Sequence, residues 1–136
     1  MFNTIVLPID VAQAERGKAI LDVARELGGK KARYIVTNVI EAVPAYVAAE
    51  LPAGLLEQAV EDAQTELKAM AKAAGISAEI EVRTGHAPTA ILDVAEDTGA
   101  DLIIIASHRP GWQDYLLGST AARVVRHAKC SVLVLR

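Results

Sequence analysis

Four short apolar runs rich in β-branched residues punctuate the chain: residues 4–9 (TIVLPI), 33–40 (RYIVTNVI), 101–106 (DLIIIA) and 131–135 (SVLVL). Runs of this length with no polar alternate suit strands buried on both faces, as inner strands of a parallel sheet are. A fifth segment, 78–83 (AEIEVR), alternates apolar and charged residues, the pattern of an edge or half-covered strand. Helical periods fill the gaps. Over 55–74, Leu56, Ala59, Val60, Ala63, Leu67, Met70 and Ala74 fall on one stripe, with Glu57, Glu61, Asp62, Lys68 and Lys72 elsewhere, and Gly75 supplies the stop. Residues 14–27 place Ile20, Ala24 and Leu27 on a face and end at Gly28-Gly29. Pro88 opens a helix through Asp97, where a missing N–H costs nothing, and Gly99 closes it. A short helix over 119–127 precedes the last strand.

The order is therefore β-α-β-α-β-α-β-α-β, which predicts an α/β fold: a flavodoxin-like, open five-stranded parallel sheet with helices on both faces and right-handed crossovers. A chain of 136 residues fits one such domain, spanning 1–136. With strand order 3-2-1-4-5, winding reverses between strands one and four, and ligands bind outside the carboxyl ends of strands at such a reversal. The tips that meet there are Pro8-Ile9-Asp10 and Ala106-Ser107-His108. One connection is long: 41–53, EAVPAYVAAELPA, carries two prolines. Val43, Tyr46 and Val47 there read as a lid, a subunit contact or plain variable surface.

Composition narrows the class. Apolar residues make up 52%, yet no run of about 18 of them exists, so a membrane-spanning helix is not expected. The opening MFNTIVLPID lacks a basic region and a cleavage-like site, and reads as a strand rather than a leader. A single cysteine, Cys130, agrees with a reducing, cytoplasmic location. A net charge of −3 and 4% aromatic residues argue against nucleic acid as a partner, since phosphate neutralisation and base stacking supply that affinity. Arg123, Arg126, His127 and Lys129 form a local basic spot, read as cations answering a helix C-terminal dipole.

The crevice residues carry the candidate chemistry. Asp10 is placed either to accept hydrogen bonds from ribose hydroxyls or to cap the following helix. Gly118, Ser119 and Thr120 combine unpaired helix-start amides with two hydroxyls, a phosphate seat; alternatively Ser119 caps its own helix. Arg109, beside His108, offers a forked donor to phosphate oxygens or is a solvated loop arginine. His86 and His127 read as structural, and no two histidines share metal-ligand spacing, so no metal site on protein side chains is expected; magnesium would arrive with a nucleotide. Cys130 reads as buried rather than nucleophilic. The chain lacks a G-x-S-x-G elbow, a G-x-x-x-x-G-K-[ST] loop and a G-x-G-x-x-G fingerprint. With no lysine placed to neutralise a transferring phosphoryl group, the reading is a binding module with weak ATP hydrolysis at most.

From IVLPID through TNVI, the Gly85 turn and GADLIIIASHRP to LLGSTAARVVRHAKCSVLVLR, the whole chain resembles the universal stress proteins, and its last segment is similar to their ATP-binding branch typified by universal stress protein F. The resemblance implies an adenine nucleotide, ATP or AMP, as ligand and a regulatory role in stress response. It implies that Pro8, Ile9 and Asp10 line the adenosine pocket and that Val39 meets adenine through its backbone. Ile105, Ala106, Ser107 and His108 would approach ribose and phosphates, with Gly118, Ser119 and Thr120 on phosphate oxygens. It also implies a homodimer seam along Ser131, Val132, Leu133, Val134 and Leu135, and an edge strand left bare is an aggregation hazard. The family's G-x2-G-x9-G-[ST] signature is kept here only at Gly118-Ser119. Its earlier glycines fall on Ile105 and His108, or with one deletion on Ala106 and Arg109, where the Ala106 methyl narrows the approach to ligand and Arg109 adds charge.

Overall fold

A computed structural model of the chain describes residues 1–107 and 117–136. Five parallel strands, β1 (Thr4–Pro8), β2 (Arg33–Glu41), β3 (Ala78–Gly85), β4 (Leu102–Ala106) and β5 (Ser131–Leu135), form one sheet in the order β3-β2-β1-β4-β5. Between them run helices α1 (Ala14–Gly28), α2 (Ala45–Ala48), α3 (Leu55–Ala73), α4 (Ala87–Thr98) and α5 (Ser119–His127). The parallel sheet is as the apolar runs predict, and the expected strand order and its reversal between β1 and β4 are those observed.

The continuous apolar runs are explained by two cores, one on each face of the sheet. Because side chains alternate along a strand, Ile5 and Leu7 of β1 face one side and Val6 the other. Ile20, Leu21 and Ala24 of α1 and Leu67 of α3 close the first side; Ile91 and Val94 of α4 and Val124 of α5 close the second. Full burial of each such Ile, Leu or Val side chain contributes about 1.5–3 kcal/mol. Lateral ties are polar: Arg25 of α1 donates to the Ala74 carbonyl at 2.8 Å, satisfying an orphan acceptor at the end of α3.

Three expectations need correction. Leu27 is 39% exposed and Leu56 47% exposed. The buried stripe of α1 runs Gly17, Ile20, Leu21, Ala24 and ends before the last turn. That of α3 is Ala63, Leu67 and Ala71, so its first two turns stand clear of the core. The 41–53 connection is not all loop, because it contains the single turn α2 behind Pro44, whose carbonyl accepts the amides of Val47 and Ala48. Val43 and Tyr46 are exposed there. The helix stops are as expected: Gly29, Gly75 and Gly99 all adopt positive φ, which only glycine holds without strain. Among the described residues no helix is long and apolar enough to cross a membrane.

Candidate functional site

Pro8 ends β1 because it has no amide to continue the ladder, and one further bond, Ile9 N–H to the Thr37 carbonyl at 2.8 Å, carries the chain past it. Asp10 then turns the backbone. Its Oδ1 accepts the Ala12 amide at 2.9 Å, its Oδ2 accepts Gln13 Nε2 at 3.2 Å, and its carbonyl accepts the Gln13 amide at 2.9 Å. This is an Asx turn, which an aspartate side chain makes by imitating the backbone. The N-cap position of α1 belongs to Gln13, so Asp10 organises the turn before the helix and does not cap it.

Over these tips lies a cavity of about 360 Å³. Its lining draws Pro8, Ile9 and Asp10 from β1 and the turn after it, Thr37, Asn38, Val39 and Glu41 from β2, and Ile105 and Ala106 from β4 with Ser107 directly after it. The N-cap Gln13 and Arg16, Gly17 and Ile20 of α1, Ala87 and Ile91 of α4 and Thr120 of α5 complete it. The cavity therefore sits at the carboxyl ends of β1, β2 and β4, across the reversal of winding, where an open α/β sheet binds ligand.

Of the residues singled out from sequence, Pro8, Ile9, Asp10, Val39, Ile105, Ala106, Ser107 and Thr120 converge on this one cavity. The lining reaches Thr120 but not Gly118 or Ser119. Gly118 occupies the N-cap position of α5 and has no side chain, so Ser119 does not cap its own helix. His108 and Arg109 lie outside the described residues. Sequence reasoning missed Gln13, Arg16, Gly17, Ile20, Thr37, Asn38, Glu41, Ala87 and Ile91. For Arg16 a signal existed: Gln13, Arg16, Gly17 and Ile20 stand at i, i+3, i+4 and i+7, the apolar stripe of α1 continued backwards past its apolar part.

Polar groups of the lining are held in place. Asn38 Nδ2 donates to the Ile9 carbonyl at 2.9 Å, and the buried Thr37 hydroxyl donates to the Glu81 carbonyl at 2.7 Å. Glu41 Oε1 accepts the amide of Ala87 at 3.2 Å, answering the N-terminal dipole of α4 in place of a side-chain cap. Arg16 is half-buried.

Elsewhere, His86 Nε2 lies 3.1 Å from Arg123 Nη1, a contact joining α4 to α5, and Lys129 pairs with Glu96 at 3.4 Å. Arg126 and His127 occupy the last turn of α5, where cations answer the helix dipole. Cys130 borders a smaller cavity of about 210 Å³ with His127 and Lys129. Burial, and after it the charge of Asp101, pushes its thiol up, opposite to what a nucleophilic cysteine needs. Among the described residues no group of three or more His, Cys, Asp or Glu side chains is gathered to hold a metal ion.

Compared with known proteins, the chain matches the model of the Universal stress protein family over residues 1–136. It is 31% identical over 141 residues to universal stress protein MJ0531 of Methanocaldococcus jannaschii, covering 100% of this chain and 83% of that protein. Its fold superposes on the solved structure of hypothetical protein MJ0577 with a TM-score of 0.82 at 25% identity, covering 99% of this chain and 96% of that one. A universal stress protein solved in complex with cAMP has the same fold, with a TM-score of 0.70 at 22% identity, covering 99% of this chain and 97% of that one.

Proposed function

The chain belongs to the universal stress protein family, and from that premise we propose that its cavity binds an adenine nucleotide, ATP or AMP, and that the protein is a nucleotide-responsive regulatory module. The observation that carries this reading is the convergence of eight residues named from sequence on one cavity at the β1/β4 reversal. A cavity of about 360 Å³ is within the range of small-molecule sites. Mixed lining suits a nucleoside: apolar walls from Ile9, Val39 and Ile105, and polar edges from Asp10, Asn38 and Thr120. The adenine base lies against Val39, the ribose near Asp10 and the phosphates toward Thr120 and the start of α5, with magnesium entering on a polyphosphate. That a universal stress protein of this fold holds cAMP supports the same ligand class. The closing LLGSTAARVVRHAKCSVLVLR supports placing the chain in the ATP-binding, F-type branch. Two copies pair along β5, and occupancy of the cavity changes the surface of segment 41–53, which leaves β2 beside Glu41.

The experiment is to denature freshly purified protein, identify any released nucleotide by mass spectrometry, and follow the melting temperature with added AMP and ATP. A ligand selective for the folded state adds about 2.7 kcal/mol of stability at a hundredfold excess over Kd. Adenine nucleotide near one per subunit, or a concentration-dependent rise in Tm, is the expected result. No release together with no rise at millimolar nucleotide defeats the proposal.

A further inference from the structure

We propose that Arg16 on α1 is the side chain through which this chain recognises the phosphate of its ligand; the proposal rests on the adenine-nucleotide reading above. Two cations among the described residues are half-buried, Arg16 and Arg83. Arg83 is neutralised twice, by Glu81 at 2.7 Å and Asp97 at 3.1 Å. Arg16 forms no ion pair or hydrogen bond with another described residue, although it lines the cavity. The remaining unpartnered cations, Lys18, Lys30, Lys31, Lys68, Lys72 and Arg126, are all exposed, where water serves them. A guanidinium drawn partly out of water with no counter-charge is unfavourable, and that cost is removed when an anion enters.

The neighbouring carboxylates leave that place open. Asp10 is engaged by Ala12 and Gln13, and Glu41 by the amide of Ala87, so neither closes on Arg16. A guanidinium supplied from α1 offers a planar fork that matches two oxygens of one phosphate. Gly17 directly after it brings α1 close to Ile9, which holds this turn of the helix against the cavity.

The test is a calorimetric titration of the wild-type protein, Arg16→Gln and Arg16→Lys with AMP and with adenosine. Arg16→Gln is expected to weaken AMP about tenfold to hundredfold, the range for a hydrogen bond to a charged group, while adenosine changes less than about twofold. Arg16→Lys should fall between, since it keeps the charge and loses the fork. Unchanged AMP affinity in Arg16→Gln overturns the assignment while leaving the nucleotide reading intact. Equal losses for AMP and adenosine also overturn it, because the side chain would then shape the cavity and not read phosphate. Wild-type protein that binds neither AMP nor adenosine overturns the Arg16 assignment, and the nucleotide reading falls with it only when ATP also leaves the melting temperature unchanged.

Discussion

The side-chain amide of Asn38 donates to the carbonyl of Ile9 at 2.9 Å, tying the tip of β2 to that of β1 beyond their last ladder pair, Pro8 with Thr37. Proline ends the regular ladder, so this bond and the Ile9 amide to Thr37 carry the two tips side by side. Asn38→Ala leaves the Ile9 carbonyl without that donor. The expected loss is about 1 kcal/mol, or about 3–5 °C in Tm for a domain of this size. Adenosine and AMP should both weaken severalfold, because Ile9 and Asp10 are cavity walls. Calorimetric melting and titration read the two effects separately, and a lowered Tm with unaltered binding would confine Asn38 to a structural role.

How far the sequence spoke can be judged from residues on either side of this bond. Pro8, Ile9 and Asp10 were legible because they end an apolar run, and a run's carboxyl end in a doubly wound sheet points to the crevice. Asn38 was not, since it sits inside β2 and its role depends on a carbonyl 29 residues away that only tertiary structure brings near. Arg16 stands on the helical line that leads to Ile20, but a charge on that line carries no mark of a cavity, and in VAQAERGK it reads as one charge among several on a helix start. Leu27 and Leu56 failed in the other direction, because periodicity assigns a face to a residue but not the depth of core opposite each turn.

Close packing behind the cavity gives a second test. A Cβ built on Gly17 lies 2.7 Å from Cγ2 of Ile9 and against the terminal methyl of Met70. The methionine end can swing away, but Ile9 is 3% exposed and cannot yield without moving the β1 tip. Alanine gains about 1 kcal/mol of helix propensity, against about 1–3 kcal/mol for overpacking. Gly17→Ala is therefore expected to lose about 1 kcal/mol net, seen as a lower urea midpoint at unchanged slope. AMP affinity should fall with it. A stabilised variant would show that the packing around Ile9 is looser than these contacts indicate.

Acid sensitivity should trace in part to the opposite end of the sheet. The Asp101 carboxylate accepts the amides of Asn3 at 2.9 Å and Thr4 at 3.0 Å. Those bonds, the one from Asn3 foremost, favour its charged form and hold it below its ordinary value of 3.8. A carboxyl depressed in the folded state contributes stability that is complete above its unfolded value and is lost as pH falls through the folded one. Asp101→Asn should therefore melt lower than wild type near neutrality and decline less steeply between roughly pH 5 and pH 3. Parallel Tm-versus-pH curves for the two proteins would remove Asp101 from the acid response.

The two sheet edges differ in a way that favours β5 over β3 as the proposed dimer seam. On β3, Glu79 is held by Arg33 and Glu81 by Arg83, so charged pairs fringe that edge and discourage strand addition. On β5, Val132, Leu133, Val134 and Leu135 are all half-buried and uncharged. Within a strand the N–H and C=O of one residue point the same way and alternate along the chain. The Leu135 carbonyl accepts the Ser107 amide at 2.9 Å on the β4 side, so the main-chain groups of Val134 and Val132 face outward. Val134→Pro deletes an outward N–H and leaves the β4 ladder its donors, the one arrangement in which an edge strand tolerates proline. Sedimentation equilibrium should show a dimer for the wild-type protein and a monomer for Val134→Pro, with native circular dichroism in both. A natively folded Val134→Pro dimer would move the seam away from β5 altogether.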